Sequence, residues 1–342
     1  MQFLLVSYQG HKYGLGHHRR MSILGTTLSQ LNQEVDHFCF LDDISNRFTE
    51  LEKFLDHSQV RVNKLAVIVD IPLDYYVENS ALLINILKAL GDLSDYLIIY
   101  DSPRKIMSEI LMNILHFDLI LIPYGHVGRS KIKNELWGFG WSILDPEIEL
   151  IRNDNEKGIT EKDEILITAG GSDPSNIGEF YLNMVNQIPY IRAKINFIVG
   201  PWTKNLSRGN IEQLIQESPH QIQLFDSPPR LVQFYERSGL ALISSGITRT
   251  EVMSCGIPAL VTNYDFESEV ATKIFSDLGS VINLGVLNEK SRPKLMSDGV
   301  ALLKAILDNM EVLNEISSKA IENSATDGLK ALSNEILGLC QN

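Results

Sequence analysis

The chain has 342 residues, of which 44% are hydrophobic, and a formal net charge of -13. A chain of this length usually divides into two hydrophobic cores, since single cores rarely grow beyond about 250 to 300 residues. The acidic balance excludes a general nucleic-acid binder, because that affinity comes from clustered Lys and Arg.

Short apolar runs of strand length recur in the first half of the chain, and amphipathic stretches separate them. The strand-like runs are Phe3–Tyr8, Val35–Leu41, Leu65–Val69, Tyr96–Tyr100 and Leu119–Ile122. Apolar residues at helical spacing follow the first and third runs. This alternation predicts a parallel sheet with right-handed crossovers, in a Rossmann-like domain over residues 1–155.

The alternation pauses over Gly125–Lys162, where glycine, proline and polar residues break the pattern, so the linker is predicted there. It restarts with strand-like runs at Glu164–Thr168, Ile195–Val199, Ile222–Phe225, Leu240–Ile243 and Ala259–Thr262. Helical patterns end the chain, and the last one, Leu329–Leu339, can pack back on the first domain. The sequence therefore predicts an α/β fold of two doubly wound sheets facing a cleft, with residues 156–342 as the second domain.

A glycine-rich turn follows the first strand-like run. Gly14 and Gly16 allow the backbone to approach a ligand, and N–H groups at the start of the next helix favour negative charge. His17 suits a general base near neutral pH, and Arg20 is a candidate for stabilising a leaving phosphate. The alternative is a surface loop with incidental histidines.

A dinucleotide-binding fingerprint is a weaker interpretation of this turn, because Arg19 stands where the third glycine is required. Asp42 or Asp43 would then be the ribose acid. Asp42 and Asp43 also leave a metal site open as an alternative, but neither a metal nor a cofactor is expected. Three cysteines without a CxxC pair indicate neither disulfides nor zinc and favour the cytoplasm.

Two similar turns follow strand-like runs of the second half. Their candidate ligand-binding residues are Gly170, Gly171 and Ser172 in the first, and Ser245, Gly246, Thr248, Arg249 and Glu251 in the second. Asp173 suits a helix cap and Pro174 a first turn, so free N–H groups there make a candidate diphosphate cradle. Glu251 lies about one helical turn after Ser245, Gly246 and Thr248, and its carboxylate can accept hydrogen bonds from ribose hydroxyls. The alternatives are a capped turn without a ligand and an acid that only complements the helix dipole.

These turns, in this order, resemble those of the GT-B nucleotide-sugar enzymes. Within that group they are similar to the UDP-sugar hydrolase of pseudaminic acid biosynthesis and to spore coat polysaccharide biosynthesis proteins. The motifs are the GxGHxxR turn ending at Arg20, the turn from Gly170 to Pro174, the set Gly138, Trp141, Leu144, Pro146 and Glu147, and Ser245 to Pro258. The resemblance implies a GT-B fold and a UDP-sugar substrate.

The resemblance also implies roles for single residues. His17 corresponds to the catalytic base, Glu251 to the residue that holds the uridine ribose, and the two later turns to the diphosphate site. Phe266, Glu267 and Ser268 stand where the hydrolase has a Glu-Asn-Gln segment that contacts the sugar and related transferases have a Gln. Glu267 and Ser268 are therefore candidate sugar contacts.

The main functional prediction is a hydrolase in which His17 activates water against the anomeric carbon of a UDP-sugar, in the biosynthesis of a surface polysaccharide or a nonulosonic acid type of sugar. One alternative is a glycosyltransferase that uses the same base on an acceptor hydroxyl. Another is a non-catalytic sugar-nucleotide-binding protein. No nucleic-acid partner or membrane insertion is expected, and a small basic cluster at Arg129 and Lys131–Lys133 is typical of a solvated face.

Overall fold

A computed structural model describes residues 1–11, 14–41, 50–51, 53–54, 64–72, 80–101, 111, 114–124, 134–156, 159, 162–307 and 309–341. The chain forms two compact units, Met1–Leu144 with Asp327–Asn342, and Asp145–Thr326. The division after Leu144 falls earlier than the predicted end of the first domain at residue 155. The helix Ile148–Asn155 belongs to the second unit, where the Asn155 side chain donates to the Cys255 carbonyl at 2.7 Å.

The first unit contains a parallel sheet in the order β2-β1-β3-β4-β5-β6. Its strands are β1 Gln2–Gln9, β2 Glu34–Leu41, β3 Leu65–Asp70, β4 Tyr96–Tyr100, β5 Leu119–Ile122 and β6 Glu135–Trp137. Helices α1 Gly16–Gln30 and α2 Ser80–Leu93 lie between strands. The central strands β3 and β4 are buried at every position except Tyr96, the first residue of β4, which is why they are continuous apolar runs and do not alternate.

The C-terminal helix, Gly328–Gln341, belongs to the first unit although it follows the whole second unit in sequence. It packs against α1 and the short 3-10 turn at Phe139–Trp141. Leu332 and Ile336 are completely buried in the core cluster that contains residues of β1 and α1. This helix therefore completes the core on one face of the first sheet.

The second unit contains a parallel sheet in the order β12-β11-β10-β7-β8-β9. Its strands are β7 Glu164–Thr168, β8 Lys194–Val199, β9 Ile222–Asp226, β10 Ser238–Ser244, β11 Ala259–Asn263 and β12 Ile282–Val286. Its helices are α3 Ile148–Asn155, α4 Ile177–Val185, α5 Asn205–Gln216, α6 Val232–Tyr235, α7 Ile247–Ser254, α8 Phe266–Asp277, α9 Arg292–Leu307 and α10 Met310–Glu322. The predicted pair of doubly wound parallel sheets is confirmed.

Both sheets reverse their strand order at one position. In the first sheet the order reverses between β1 and β3, and in the second between β7 and β10. Ligands of open α/β sheets bind outside the carboxyl ends of the strands at such a reversal, because the two loops there leave in opposite directions. The turns that the sequence analysis selected after β1, β7 and β10 all lie at these two positions.

The sequence pattern did not predict two strands, β6 and β12. β6 has only three residues and lies at the edge of its sheet, inside the stretch that was predicted to be the linker. β12 contains Gly285, which has a positive φ of 103° and lies next to a register shift. Neither strand provides the continuous apolar run on which the prediction depended. None of the helices in the described ranges is long and apolar enough to cross a bilayer.

Candidate functional site

At the reversal point of the first sheet, His17 and Arg20 of α1 converge on one carboxylate, Asp70 at the end of β3. His17 Nδ1 lies 2.7 Å from Asp70 Oδ1. Arg20 donates to both carboxylate oxygens, from Nε at 2.9 Å and from Nη2 at 2.8 Å. Gly14, with a φ of 67°, pairs with Gly10 in the turn before the helix, and Gly16 is the first residue of α1.

This geometry favours a proton on Nδ1 of His17. An ionised carboxylate only accepts hydrogen bonds, and Asp70 Oδ1 lies closer to Nδ1, at 2.7 Å, than the donor Arg20 Nη2 does, at 3.1 Å. In the neutral ring Nε2 then carries the lone pair and can accept a proton from a reacting group. Burial alone would raise the pKa of Asp70, but the charge of Arg20 and the contacts with His17 and Arg20 hold it well below the usual range. The orienting carboxylate therefore stays ionised.

The same contacts bear on Arg20, whose predicted role is to stabilise a leaving phosphate. Its side chain is buried, with an overall exposure of 8%, and its guanidinium lies 5.2 Å from the centre of the Tyr100 ring. Burial opposes its charge, yet Asp70 raises the guanidinium pKa above its ordinary value. Arg20 is thus the counter-ion of Asp70 and is poorly placed to bind a leaving phosphate.

His18 lies in a different environment from His17. Its ring stacks on that of His37 with centroids 4.8 Å apart, and the Ser7 hydroxyl lies 2.7 Å from His37 Nε2. Burial lowers the pKa of His18. Burial and the neighbouring His18 lower the pKa of His37 to about 4. Although adjacent in sequence, His17 and His18 therefore have separate partners, Asp70 and His37.

At the reversal point of the second sheet, the turns after β7 and β10 are joined directly. The Ser244 hydroxyl donates to the Ala169 carbonyl at 2.8 Å. Gly170 has a φ of 83°, a conformation that side chains disfavour. The Gly171 carbonyl accepts from the Trp202 amide at 2.9 Å, and Ser172 is buried. Gly170, Gly171 and Ser172 thus form a compact turn next to the start of α7.

The α4 end of this turn does not match the predicted diphosphate cradle. Asp173 accepts from the amides of Ile177 and Gly178 at 2.7 and 2.8 Å, and these are the first two residues of α4. Pro174 lies in a turn before the helix and not in its first helical turn. The Asp173 carboxylate already occupies the position that an anion would take. Its pKa is raised by burial to about 6 despite the two amide bonds, which lower it.

The start of α7 is different. Gly246 immediately precedes the helix with a φ of 127°, and no side chain of the described residues caps it. The adjacent Ser245 hydroxyl is buried and makes no hydrogen bond within the part of the chain that the structure describes. Uncapped N–H groups at a helix start, beside a buried hydroxyl, suit a phosphate oxygen. Of the two predicted phosphate turns, this one retains the features of an anion site.

The remaining residues predicted in α7 are buried, and two of them have partners in the interior of the second unit. Thr248 is buried, and Arg249, which is 2% exposed, donates to Thr272 at 2.7 Å and stacks on Phe275. Arg249 therefore stabilises the interior of the second unit, and its placement argues against contact with a phosphate. Glu251 is 1% exposed and accepts the Tyr235 hydroxyl at 2.6 Å on Oε2. That oxygen is already engaged, which weakens the prediction that both ribose hydroxyls bind this carboxylate.

The predicted sugar-contacting segment forms the start of α8. Ser268 forms a reciprocal capping box with Asp265, since the Ser268 amide donates to Asp265 Oδ1 at 2.7 Å and the Asp265 amide donates to Ser268 Oγ at 3.2 Å. The Ser268 hydroxyl is therefore already hydrogen-bonded within the capping box at the start of α8. Glu267 is the second residue of α8 and half-buried, and its role as a sugar contact stays a prediction.

Other candidates from the sequence lie outside the described residues. These are Asp42 and Asp43, the possible ribose or metal acids, and the basic residues Arg129 and Lys131–Lys133. Within the described ranges, no three His, Cys, Asp or Glu side chains are grouped as metal ligands.

Sequence reasoning missed Asp70, the residue that gives His17 its orientation. Asp70 is 53 positions away in sequence, and only the pairing of β1 with β3 brings the two together. The available signal was an acid that closes the apolar run Leu65–Val69 at the carboxyl end of a strand. A charged residue in that position is costly to bury unless it is paired, and therefore indicates a partner.

Two doubly wound sheets with ligand-type turns at both reversal points define the GT-B class of fold. The chain matches no family model. Among curated proteins it is similar to the spore coat polysaccharide biosynthesis protein SpsG of Bacillus subtilis strain 168, with 24% identity over 293 residues and 81% of each chain covered. The resemblance predicted from the turns is confirmed.

Solved structures give the same fold. MurG of Acinetobacter baumannii aligns with a TM-score of 0.65 and 13% identity, covering 98% of this chain and 99% of that one. The spinosyn rhamnosyltransferase SpnG aligns with a TM-score of 0.61 and 13% identity, covering all of both chains. HepE of Anabaena, in complex with UDP and glucose, aligns with a TM-score of 0.58 and 11% identity, covering 99% of both chains. The chain thus has the GT-B fold.

Proposed function

We propose that this protein is a glycosyltransferase that moves a sugar from a UDP-sugar to an acceptor hydroxyl, with His17 as the general base. The observation that supports it most strongly is the His17–Asp70 contact of 2.7 Å. A protein that only binds sugar nucleotides has no need for an imidazole held in one tautomer by a buried carboxylate. SpnG is a spinosyn rhamnosyltransferase and HepE was solved in complex with UDP and glucose, and these two similarities support the choice of reaction and donor.

In the proposed reaction, Nε2 of His17 accepts the proton of the acceptor hydroxyl while that oxygen attacks the anomeric carbon. The anomeric C–O bond to the diphosphate breaks, and UDP leaves with the bonding electron pair. Asp70 stabilises the imidazolium that forms, as an ionised carboxylate next to Nδ1 does in other His-based sites. Attack and departure on opposite faces invert the anomeric configuration.

The leaving diphosphate is assigned to the start of α7. There the uncapped amides after Gly246 and the Ser245 hydroxyl supply hydrogen-bond donors for negative charge as it develops. Arg20 and Arg249 take no part, because each is buried against other groups of its own unit. By analogy with the name of SpsG, we assign the product to a surface polysaccharide.

The test is the release of UDP from UDP-sugars, with water alone and then with sugar acceptors. His17→Ala should reduce release by about 10² to 10⁴ while leaving UDP affinity near that of the parent, because a general base acts on the acceptor and not on the nucleotide. His18→Ala is the matched control, since its ring contacts His37. Full activity in His17→Ala would reject the mechanism. Release of UDP in water alone, without a sugar acceptor, would support the hydrolase and contradict the transferase.

A further inference from the structure

Arg20 lies against His17 as well as against Asp70. Its Nη2 is 3.1 Å from His17 Nδ1 and 2.8 Å from Asp70 Oδ1, while its Nε donates to Asp70 Oδ2 at 2.9 Å. A guanidinium has donors and no acceptor, so its contact with a protonated Nδ1 is not a hydrogen bond. The contact instead places a positive charge directly beside the imidazole ring of the proposed base.

The surroundings hold the Arg20 charge in this position. The guanidinium is buried and lies over the ring of Tyr100 from β4. Burial raises the pKa of Tyr100 above its ordinary value, so this phenol stays neutral beside the guanidinium. Tyr124, which follows β5, also interacts electrostatically with Arg20. Arg19 lies two residues after His17, so its side chain leaves α1 about 200° away around the helix.

The charges that face His17 come from two elements. β3 contributes Asp70, and α1 itself contributes Arg20. The adjacent His18 stacks on His37 of β2, and burial lowers the pKa of both of these rings, so both stay neutral near pH 7. Among the described residues, the protonation of His17 is therefore governed by a carboxylate that favours the imidazolium and a guanidinium that disfavours it.

We propose that Arg20 is a positioning residue that keeps His17 in its neutral form near pH 7, so that Nε2 is available as the base. This assignment rests on the proposed function. An ionised carboxylate alone favours the imidazolium, which has no lone pair and cannot accept a proton. The Arg20 charge opposes this effect, and its contacts leave Asp70 Oδ1 next to Nδ1. Asp70 therefore orients the ring without causing it to be protonated before the acceptor binds.

The experiment follows the protonation of His17 by NMR of the imidazole C–H groups, in the whole protein without a ligand, as the pH is varied. The chain has eight histidines, and His17→Ala identifies the resonance of His17. In Arg20→Gln the midpoint of the His17 titration should rise by about 1 to 2 pH units, because a positive charge beside the imidazolium is lost. Arg20→Lys keeps the charge and should retain the parent midpoint.

A second pair of variants covers the case in which Arg20→Gln does not fold. Asp70→Asn should lower the midpoint, since the Arg20 charge then acts alone. Adding Arg20→Gln to Asp70→Asn should raise the midpoint again, without leaving a buried carboxylate unpaired. The His18 titration is the internal control and should be the same throughout, because its ring faces His37. A His17 midpoint that does not rise when the Arg20 charge is removed, in either background, would overturn the role of Arg20.

Activity distinguishes a failure of this role from a failure of the proposed function. In the UDP-release assay, the acid limb of the pH profile of kcat/KM should move upwards in Arg20→Gln by the same amount as the NMR midpoint. A midpoint that moves while the acid limb does not would reject His17 as the base, and with it the proposed function. An unchanged midpoint would reject the role of Arg20 and leave the proposed function intact.

Discussion

At the scale of single residues, Glu251 shows how a buried contact changes an expectation from sequence. The sequence alone suggests that Glu251→Ala affects only UDP binding. Because the Tyr235 hydroxyl donates to this carboxylate in the interior, the variant should also lower the free energy of unfolding by about 1 to 3 kcal/mol, the cost of an unsatisfied buried group. Denaturant titration measures this loss and calorimetry measures UDP binding.

Tyr235→Phe provides the control for Glu251→Ala. It removes the same hydrogen bond but keeps the carboxylate. If Glu251 holds the ribose, only Glu251→Ala should weaken UDP binding. Equal UDP affinities in both folded variants would leave Glu251 with a structural role alone.

At the scale of secondary-structure elements, the two helix starts beside the reversal point of the second sheet behave oppositely. α4 begins with a carboxylate already bound to its amides, whereas α7 begins at Ile247, directly after Gly246, without a side-chain cap among the described residues. Both follow Gly- and Ser-containing turns, so composition does not separate them. What separates them is the residue before each helix, because the Asp173 carboxylate accepts from the first two amides of α4, whereas Gly246 has no side chain that could do so.

Ser245→Ala tests the uncapped helix start. The hydroxyl is buried and unbonded within the described residues, so removing it should leave the stability unchanged or slightly higher. UDP binding should weaken by roughly 10- to 100-fold, as expected for one hydrogen bond to a charged group. Ser244→Ala is the neighbouring control and should lose about 1 kcal/mol of stability, because it removes the bond to Ala169. Unchanged UDP affinity in Ser245→Ala would contradict the assignment of the diphosphate to the start of α7.

At the scale of the whole molecule, the sequence pattern was sufficient for the class of fold but not for the contacts that give the site its chemistry. Strands buried on both faces are visible as apolar runs, and the order of turns identified the GT-B resemblance. Contacts such as His17 with Asp70 depend on which strands are neighbours, which local patterns do not encode. Short or interrupted edge strands such as β6 and β12 depend on a neighbouring strand more than on their own residues.

The contribution of His37 to the stability of the molecule should be lost in mild acid. The pKa of His37 is lowered to about 4 by burial and by His18, whereas an unfolded histidine titrates near 6.5. The unfolded chain therefore binds more protons between these values, and the contribution that is present above about pH 6.5 is lost as the pH falls towards 4. After allowance for the partial exposure of His37, the loss is about 1 kcal/mol.

The measurement is the free energy of unfolding between pH 7 and pH 4 for the parent and His37→Gln, which keeps a group able to bond Ser7. Asp173 acts in the opposite direction, since its pKa of about 6 exceeds the unfolded value and its protonation favours the folded state on acidification. The difference between the two proteins isolates the histidine. A parent and a variant with parallel pH profiles would contradict the assignment.

The position of the C-terminal helix has a consequence for biosynthesis. The core of the first unit needs Leu332 and Ile336, which leave the ribosome only after the entire second unit. During translation the second unit can therefore complete its core first, although the first sheet is synthesised earlier. Until the last helix arrives, the apolar face of the first sheet that α1 covers in part stays incompletely covered, so this half of the nascent chain is the part that most needs protection by chaperones.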